Sequence, residues 1–161
     1  MTTHSDVDVD EPARFQRPPA WKGGATAGLV ATVAMGLVIM AMDAEALRGA
    51  IAGLYGLSGN VLAGGVAHLA HGTLFGVLFA VVLADPGLYR LTDWRWKTVL
   101  AGVIYGLLLA VVGAGIIMPI WLNAAGFPAS PTMPFVTNAT LLWHLVYGLV
   151  LGSLFPVVEH L

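Results

Sequence analysis

The sequence predicts an all-α polytopic membrane protein, with four transmembrane helices in one bundle built from two parallel helical-hairpin repeats. Three observations carry this reading. Of 161 residues, 58% are hydrophobic and 10% charged, and mean hydropathy is +0.83; soluble domains carry about 25% charged residues. Four runs of roughly 20 apolar residues are each long enough to cross about 30 Å of hydrocarbon as a helix. Finally, H-L-A-H-G-T-L-F-G-V-L-F-A-V-V (68–82) returns 76 residues later as H-L-V-Y-G-L-V-L-G-S-L-F-P-V-V (144–158), with eight of fifteen positions identical.

Residues 1–20 are polar and contain D-V-D-V-D-E, too few apolar groups to fold alone, so a disordered acidic tail is expected. It does not read as a signal peptide, because acids displace the basic n-region and no A-x-A-like site follows the apolar run. A single transmembrane domain is expected over 21–161. The first span runs from Gly23 to Met42, entered through Trp21-Lys22 and ended by Asp43. Residues 43–58 are expected to form a short helix lying on the outer interface. The second span covers about Val61 to Ala84 without one Asp, Glu, Lys or Arg. The third starts after Trp96-Lys97 and reaches about Met118-Pro119. Four prolines and Gly126 then predict an irregular loop over 119–138 that packs at the interface, with a lid over the bundle mouth as the alternative. The fourth span covers about Thr140 to Val158.

The duplication extends beyond the histidine helices. T-A-G-L-V-A-T-V (26–33) resembles L-A-G-V-I-Y-G-L (100–107), and W-K precedes both, so the repeats are about 22–84 and 97–158. Each enters from the same side, which makes the repeat a parallel one. Six of the seven Lys and Arg residues, all but Arg48, fall on one side, which predicts cytoplasmic N- and C-termini in the cell membrane. Trp21, Trp94 and Trp96 would then belt the inner interface, with Trp121 and Trp143 at the outer one.

Each span carries one G-x-x-x-G: Gly24/Gly28, Gly72/Gly76, Gly102/Gly106 and Gly148/Gly152. Lipid supplies no hydrophobic force between helices, so close approach through small residues must do the packing. Helix–helix contact within the bundle is the default use of these glycines. The alternatives are that some leave room for a flat cofactor, or present stripes to a second copy or another membrane protein.

His68, His71 and His144 are the ionisable side chains well inside the hydrocarbon, and polar groups at that depth often mark ligands or pathways. The plain account is a neutral imidazole satisfied by Tyr147, Thr73 or Thr140. A sharper one is haem b held by His68 and His144, with Gly72 and Gly148 giving the ring room. Another is a Cu or Zn site from His68, His71 and His144, since imidazole suits both metals. A small-solute transporter ranks third, because no intramembrane carboxylate is present to carry charge. Nothing assembles a catalytic nucleophile: Ser58, Ser130 and Ser153 lack a His–acid pair at recognisable spacing. No G-x-x-x-x-G-K-[ST] loop occurs. Cysteine is absent, and a net charge of −2 offers no footprint for nucleic acid. The function expected is therefore non-enzymatic, a structural or partner-binding membrane subunit in contact with the lipid bilayer, with haem or metal binding as runner-up.

K-G-G-A-T-A-G-L-V-A-T (22–32), M-P-I-W-L-N-A-A-G-F-P (118–128) and L-W-H-L-V-Y-G-L-V-L-G (142–152) also carry a resemblance. The chain resembles small four-helix membrane proteins of unassigned function found in halophilic archaea, over most of residues 22–158. That resemblance implies the four-helix architecture and no activity.

Overall fold

A computed structural model describes residues 20–161, so the acidic tail expected at the N-terminus lies outside the described residues except for Ala20. Four long helices follow one another: α1 (Trp21–Met42), α2 (Val61–Leu83), α3 (Arg95–Ala124) and α4 (Asn138–Val158), each long and apolar enough to span a membrane. No strand occurs among the described residues. Large apolar side chains face outward along every span: Leu37 is 68% exposed, Leu62 74% and Leu108 56%. Helices that are apolar on all faces suit a lipid solvent, where every backbone group must be satisfied within the helix.

Local chemistry sets the helix starts. Gly56 and Gly59 take positive φ values of 71° and 93°, turning the chain into Asn60. The Asn60 side chain then caps α2 by accepting from the Ala63 N–H at 3.0 Å. Thr137 caps α4 in the same way, accepting from the Thr140 N–H at 3.0 Å. The third span runs on past Pro119 to Ala124, beyond the end expected from the sequence. Before the proline the helix widens into π-type turns over Leu109–Ile117. Pro119 has no N–H to donate to the Gly115 carbonyl, and the Phe135 N–H takes that place at 2.9 Å. The proline-rich loop is thereby tied to the wall of α3.

The bundle is held by two close-packed antiparallel pairs. Between α1 and α2, a methyl group placed on Gly28 would lie 2.7 Å from the Gly72 carbonyl oxygen and 2.8 Å from the Gly76 Cα. Between α3 and α4, one on Gly102 would lie 2.7 Å from the Gly152 Cα, and one on Gly152 would lie 2.6 Å from the Thr98 carbonyl oxygen. The backbones touch, and the paired glycines have no surface left for another chain. The oligomer or partner stripe considered from the sequence is therefore consumed inside the bundle.

A central core joins the two pairs. Ala27, Ala31, Met35 and Ile39 of α1 pack with Trp143, Tyr147, Leu151 and Phe155 of α4 and with Phe79, Ala80 and Leu83 of α2. Trp143, expected at the outer interface, is in this core with 9% exposure, whereas Trp121 is exposed at the rim. Trp21, Trp94 and Trp96 are exposed at the opposite end, where Lys97 sits 4.9 Å from the Trp94 ring. The connection after α1 is less interfacial than expected: Leu47, Gly49, Ala52, Gly53 and Leu54 are buried. It packs down on the start of α2, where the Leu47 carbonyl meets Gly64.

Glycine substitution separates contact from composition. Gly28→Ala and Gly102→Ala should each destabilise the bundle by about 1–3 kcal/mol through overpacking. Gly65, with open space around it, should gain up to about 1 kcal/mol as Ala from helix propensity. Thermal unfolding of the three variants in mild detergent gives the comparison.

Candidate functional site

The α1/α2, α1/α4 and α3/α4 neighbours pack closely, but α2 and α3 do not, and the gap between them defines the site. Two side-chain contacts bridge it. The Tyr105 hydroxyl donates to the Phe75 carbonyl at 2.8 Å, and the Phe79 and Tyr105 rings lie 5.3 Å apart. From that bridge towards the 43–60 connection, the helices enclose a cavity of about 460 Å³. Its walls are mainly apolar: Met35, Leu74, Phe75, Leu109, Val112 and Ile117 contribute. Because Leu74, Val112, Ile117 and Trp121 line it while remaining 41–55% exposed, the cavity opens sideways between α2 and α3.

His68, His71 and His144 all line this cavity, brought together by α2 and α4 running in the same direction. Each has a different bonding state. The His144 Nδ1 donates to the Thr140 backbone carbonyl of its own helix at 2.9 Å. His71 Nε2 pairs with the Tyr55 hydroxyl at 2.5 Å. That tyrosine reaches in from the 43–60 connection, and Trp121 stacks edge-on against it at 5.5 Å, forming an aromatic rim. His68 Nε2 is buried with no hydrogen-bond partner among the described residues. The ring lies against α1 beside Gly36.

The hydroxyls named from the sequence as imidazole partners mostly go elsewhere. Thr73 donates to its own helix at the Leu69 carbonyl, 2.7 Å away. The Tyr147 hydroxyl donates to the Gly72 carbonyl at 2.7 Å, a buried tie from α4 to α2. Thr140 serves His144, through its carbonyl rather than its hydroxyl. Tyr105, Tyr147 and Tyr55 are the hydroxyls at and around the cavity that sequence reasoning missed or misassigned. Tyr147 occupies the position equivalent to His71 in the 76-residue offset, which was the available signal.

The residues do not fit the groups considered for them. Gly72 and Gly148 leave no slot for a porphyrin: Thr32 fills the space over Gly72, and the Gly102 backbone abuts Gly148. The His68 Nε2 is buried, with its ring beside Gly36 of α1. A three-imidazole Cu or Zn site fails as well, since no group of three His, Cys, Asp or Glu among the described residues is arranged to hold a metal ion. What remains is an apolar cavity with a hydrogen-bonding end, free of Asp, Glu, Lys and Arg. The nearest charges at that end, Arg48 and Glu45, pair with each other at 2.7 Å in solvent.

Two measurements follow. Protein reconstituted with haem should show no bis-histidine Soret band in its absorption spectrum. Tyr147→Phe should lower stability by about 1 kcal/mol in thermal unfolding, the usual net value of one intramolecular hydrogen bond. Comparison with protein-family models, with characterised proteins and with solved structures finds no match to this chain.

Proposed function

We propose that this protein is a non-enzymatic membrane subunit that binds a small, uncharged, membrane-soluble molecule in the cavity between α2 and α3. The observation that carries the reading is the cavity itself: about 460 Å³, within the roughly 300–1,000 Å³ of small-molecule sites, apolar along its wall and polar at one end. Its side opening between two spans admits a ligand from the bilayer rather than from water. Among the described residues no Asp, Glu, Lys or Arg lines it, so charge-coupled uptake has no carboxylate or amine to run on.

The same reading takes the bundle as two parallel hairpin repeats, about 22–84 and 97–158, with both termini cytoplasmic. Supporting it are the 76-residue offset and the glycine contacts made alike in α1/α2 and α3/α4. Lys22, Arg90, Arg95 and Lys97 gather at one end of the bundle, while Arg48 at the other is paired with Glu45. The cavity then lies in the outer leaflet. The chain has no cysteine, so single-cysteine labelling is clean. Ser58→Cys should react with an impermeant maleimide from outside intact cells, and Asp93→Cys only after lysis; the reverse pattern overturns the orientation.

Occupancy is read by mass spectrometry of molecules that co-purify with the full-length protein in mild detergent. Gly113 lines the cavity and has open space around it, so Gly113→Phe should fill the site. Wild type is expected to retain about one uncharged apolar molecule per chain, and Gly113→Phe to lose it. A cavity that carries nothing in wild type, or the same molecule in both, overturns the reading.

A further inference from the structure

Resting on the cavity reading above, we infer that the ligand is a lipid-like molecule with a free hydroxyl, held by His144 and the Tyr55–His71 pair at the rim. The inference comes from counting hydrogens. The Thr140 carbonyl can only accept, so the His144 Nδ1 must carry the proton in the bond between them. The neutral ring therefore has a bare Nε2, a hydrogen-bond acceptor with no partner among the described residues. A hydroxyl or N–H donor on a ligand satisfies it.

The Tyr55–His71 pair supplies the opposite polarity. Together the two side chains own two polar hydrogens, the phenol O–H and one imidazole N–H, and their mutual bond uses one. If Tyr55 donates, the His71 Nδ1–H is left over; if His71 donates, the Tyr55 O–H is left over. Either tautomer leaves one donor at the cavity rim. Both groups line the same cavity as His144.

One chemical group answers an acceptor and a donor together: a hydroxyl, which gives its proton to the His144 Nε2 and takes one from the pair. A pure hydrocarbon satisfies neither. A carbonyl satisfies only the donor. A phosphate or carboxylate meets a bare nitrogen lone pair and no cation, since Arg48 is held by Glu45 outside the cavity. The apolar wall of Leu74, Phe75, Leu109 and Val112 takes the hydrocarbon tail. The site is thus complementary to a long-chain or isoprenoid alcohol, or to a neutral glyceride.

Trp121 reports on this site, because its ring lies 5.5 Å from Tyr55 and 6.0 Å from His71. The probes are decan-1-ol brominated at carbon 4 and the matching 4-bromodecane, compared at equal mole fraction in phosphatidylcholine nanodiscs holding the full-length protein. Saturable quenching of the Trp121 component, defined by its loss in Trp121→Phe, should be at least about tenfold tighter for the alcohol, the worth of one to two net hydrogen bonds. His144→Leu should weaken that preference to what the remaining bond from the Tyr55–His71 pair supplies. Tyr55→Phe and His71→Leu should each retain most of it, since a donor hydrogen survives in either; the double variant should weaken it as His144→Leu does, and the triple variant should lose it. Equal saturable quenching by both probes overturns the hydroxyl assignment and leaves the cavity reading standing. Absence of saturable quenching by either probe overturns both. A preference undiminished in His144→Leu overturns the assignment as well, and this comparison is made on quenching, so moderate loss of stability in the variant does not obscure it.

Discussion

Backbone-to-backbone contact at glycine is the constraint from which the rest of this molecule follows. In lipid, apolar side chains gain nothing by leaving the solvent, so helices associate through dispersion and a few internal hydrogen bonds. Both increase as backbones approach, and only a missing Cβ allows the spacing seen between Gly28 and Gly76 or between Gly102 and Gly152. Each span spends its small-residue face on one neighbour. Once α1 has taken α2 and α3 has taken α4, the two pairs meet along a second face of α1. There the Ala27–Ala31–Met35–Ile39 row packs on the aromatic face of α4.

That division explains why a cavity exists. A four-helix arrangement has a fourth side, and here the Gly72/Gly76 and Gly102/Gly106 faces of α2 and α3 are already packed on α1 and α4. Tyr105 and Phe79 bridge it at one level. Beyond the bridge, α3 widens into π-type turns, a distortion that often accompanies functional sites. Pro119 cannot continue the regular ladder, and Gly113 and Gly115 offer no side chains to fill the gap. The 43–60 connection and Trp121 then roof the space with aromatic rings instead of aliphatic packing. The missing contact and the cavity are one feature.

Much of this was legible in the sequence, for definite reasons. Uncharged runs of spanning length announce helices irrespective of propensity, and a four-residue glycine period shows which face must touch a neighbour. The shared histidine position in α2 and α4 located the polar end of the cavity, because parallel helices put equivalent residues side by side. Trp143 was misplaced because a tryptophan near a span end looks the same whether it faces lipid headgroups or turns inward. Pro119 looked like a terminus, yet the freed Gly115 carbonyl found the Phe135 N–H, and the helix continued. Gly72 and Gly148 served equally well as ring clearance or helix contact on paper. Thr32 settles the first and the Gly102 backbone the second. Tyr55 was illegible, since its reach depends on how a connection folds back onto α2.

The hydrogen-bond pattern at the cavity also bears on why it holds imidazoles at all. An apolar cavity lined only by Leu and Phe would accept any acyl chain that the bilayer offers. An acceptor that a bound chain shuts off from solvent without offering a donor costs about 1–3 kcal/mol, and that cost is discriminating because a hydrocarbon cannot relieve it. His144 is held in one tautomer by its own helix carbonyl, so its polarity towards the cavity is set by backbone geometry before a ligand arrives. His71 is held by Tyr55, and Tyr55 by the ring of Trp121. Under the hydroxyl reading proposed above, the site need not reorganise its polar groups on binding, and the bonds that would accept an alcohol would leave a plain acyl chain unmatched.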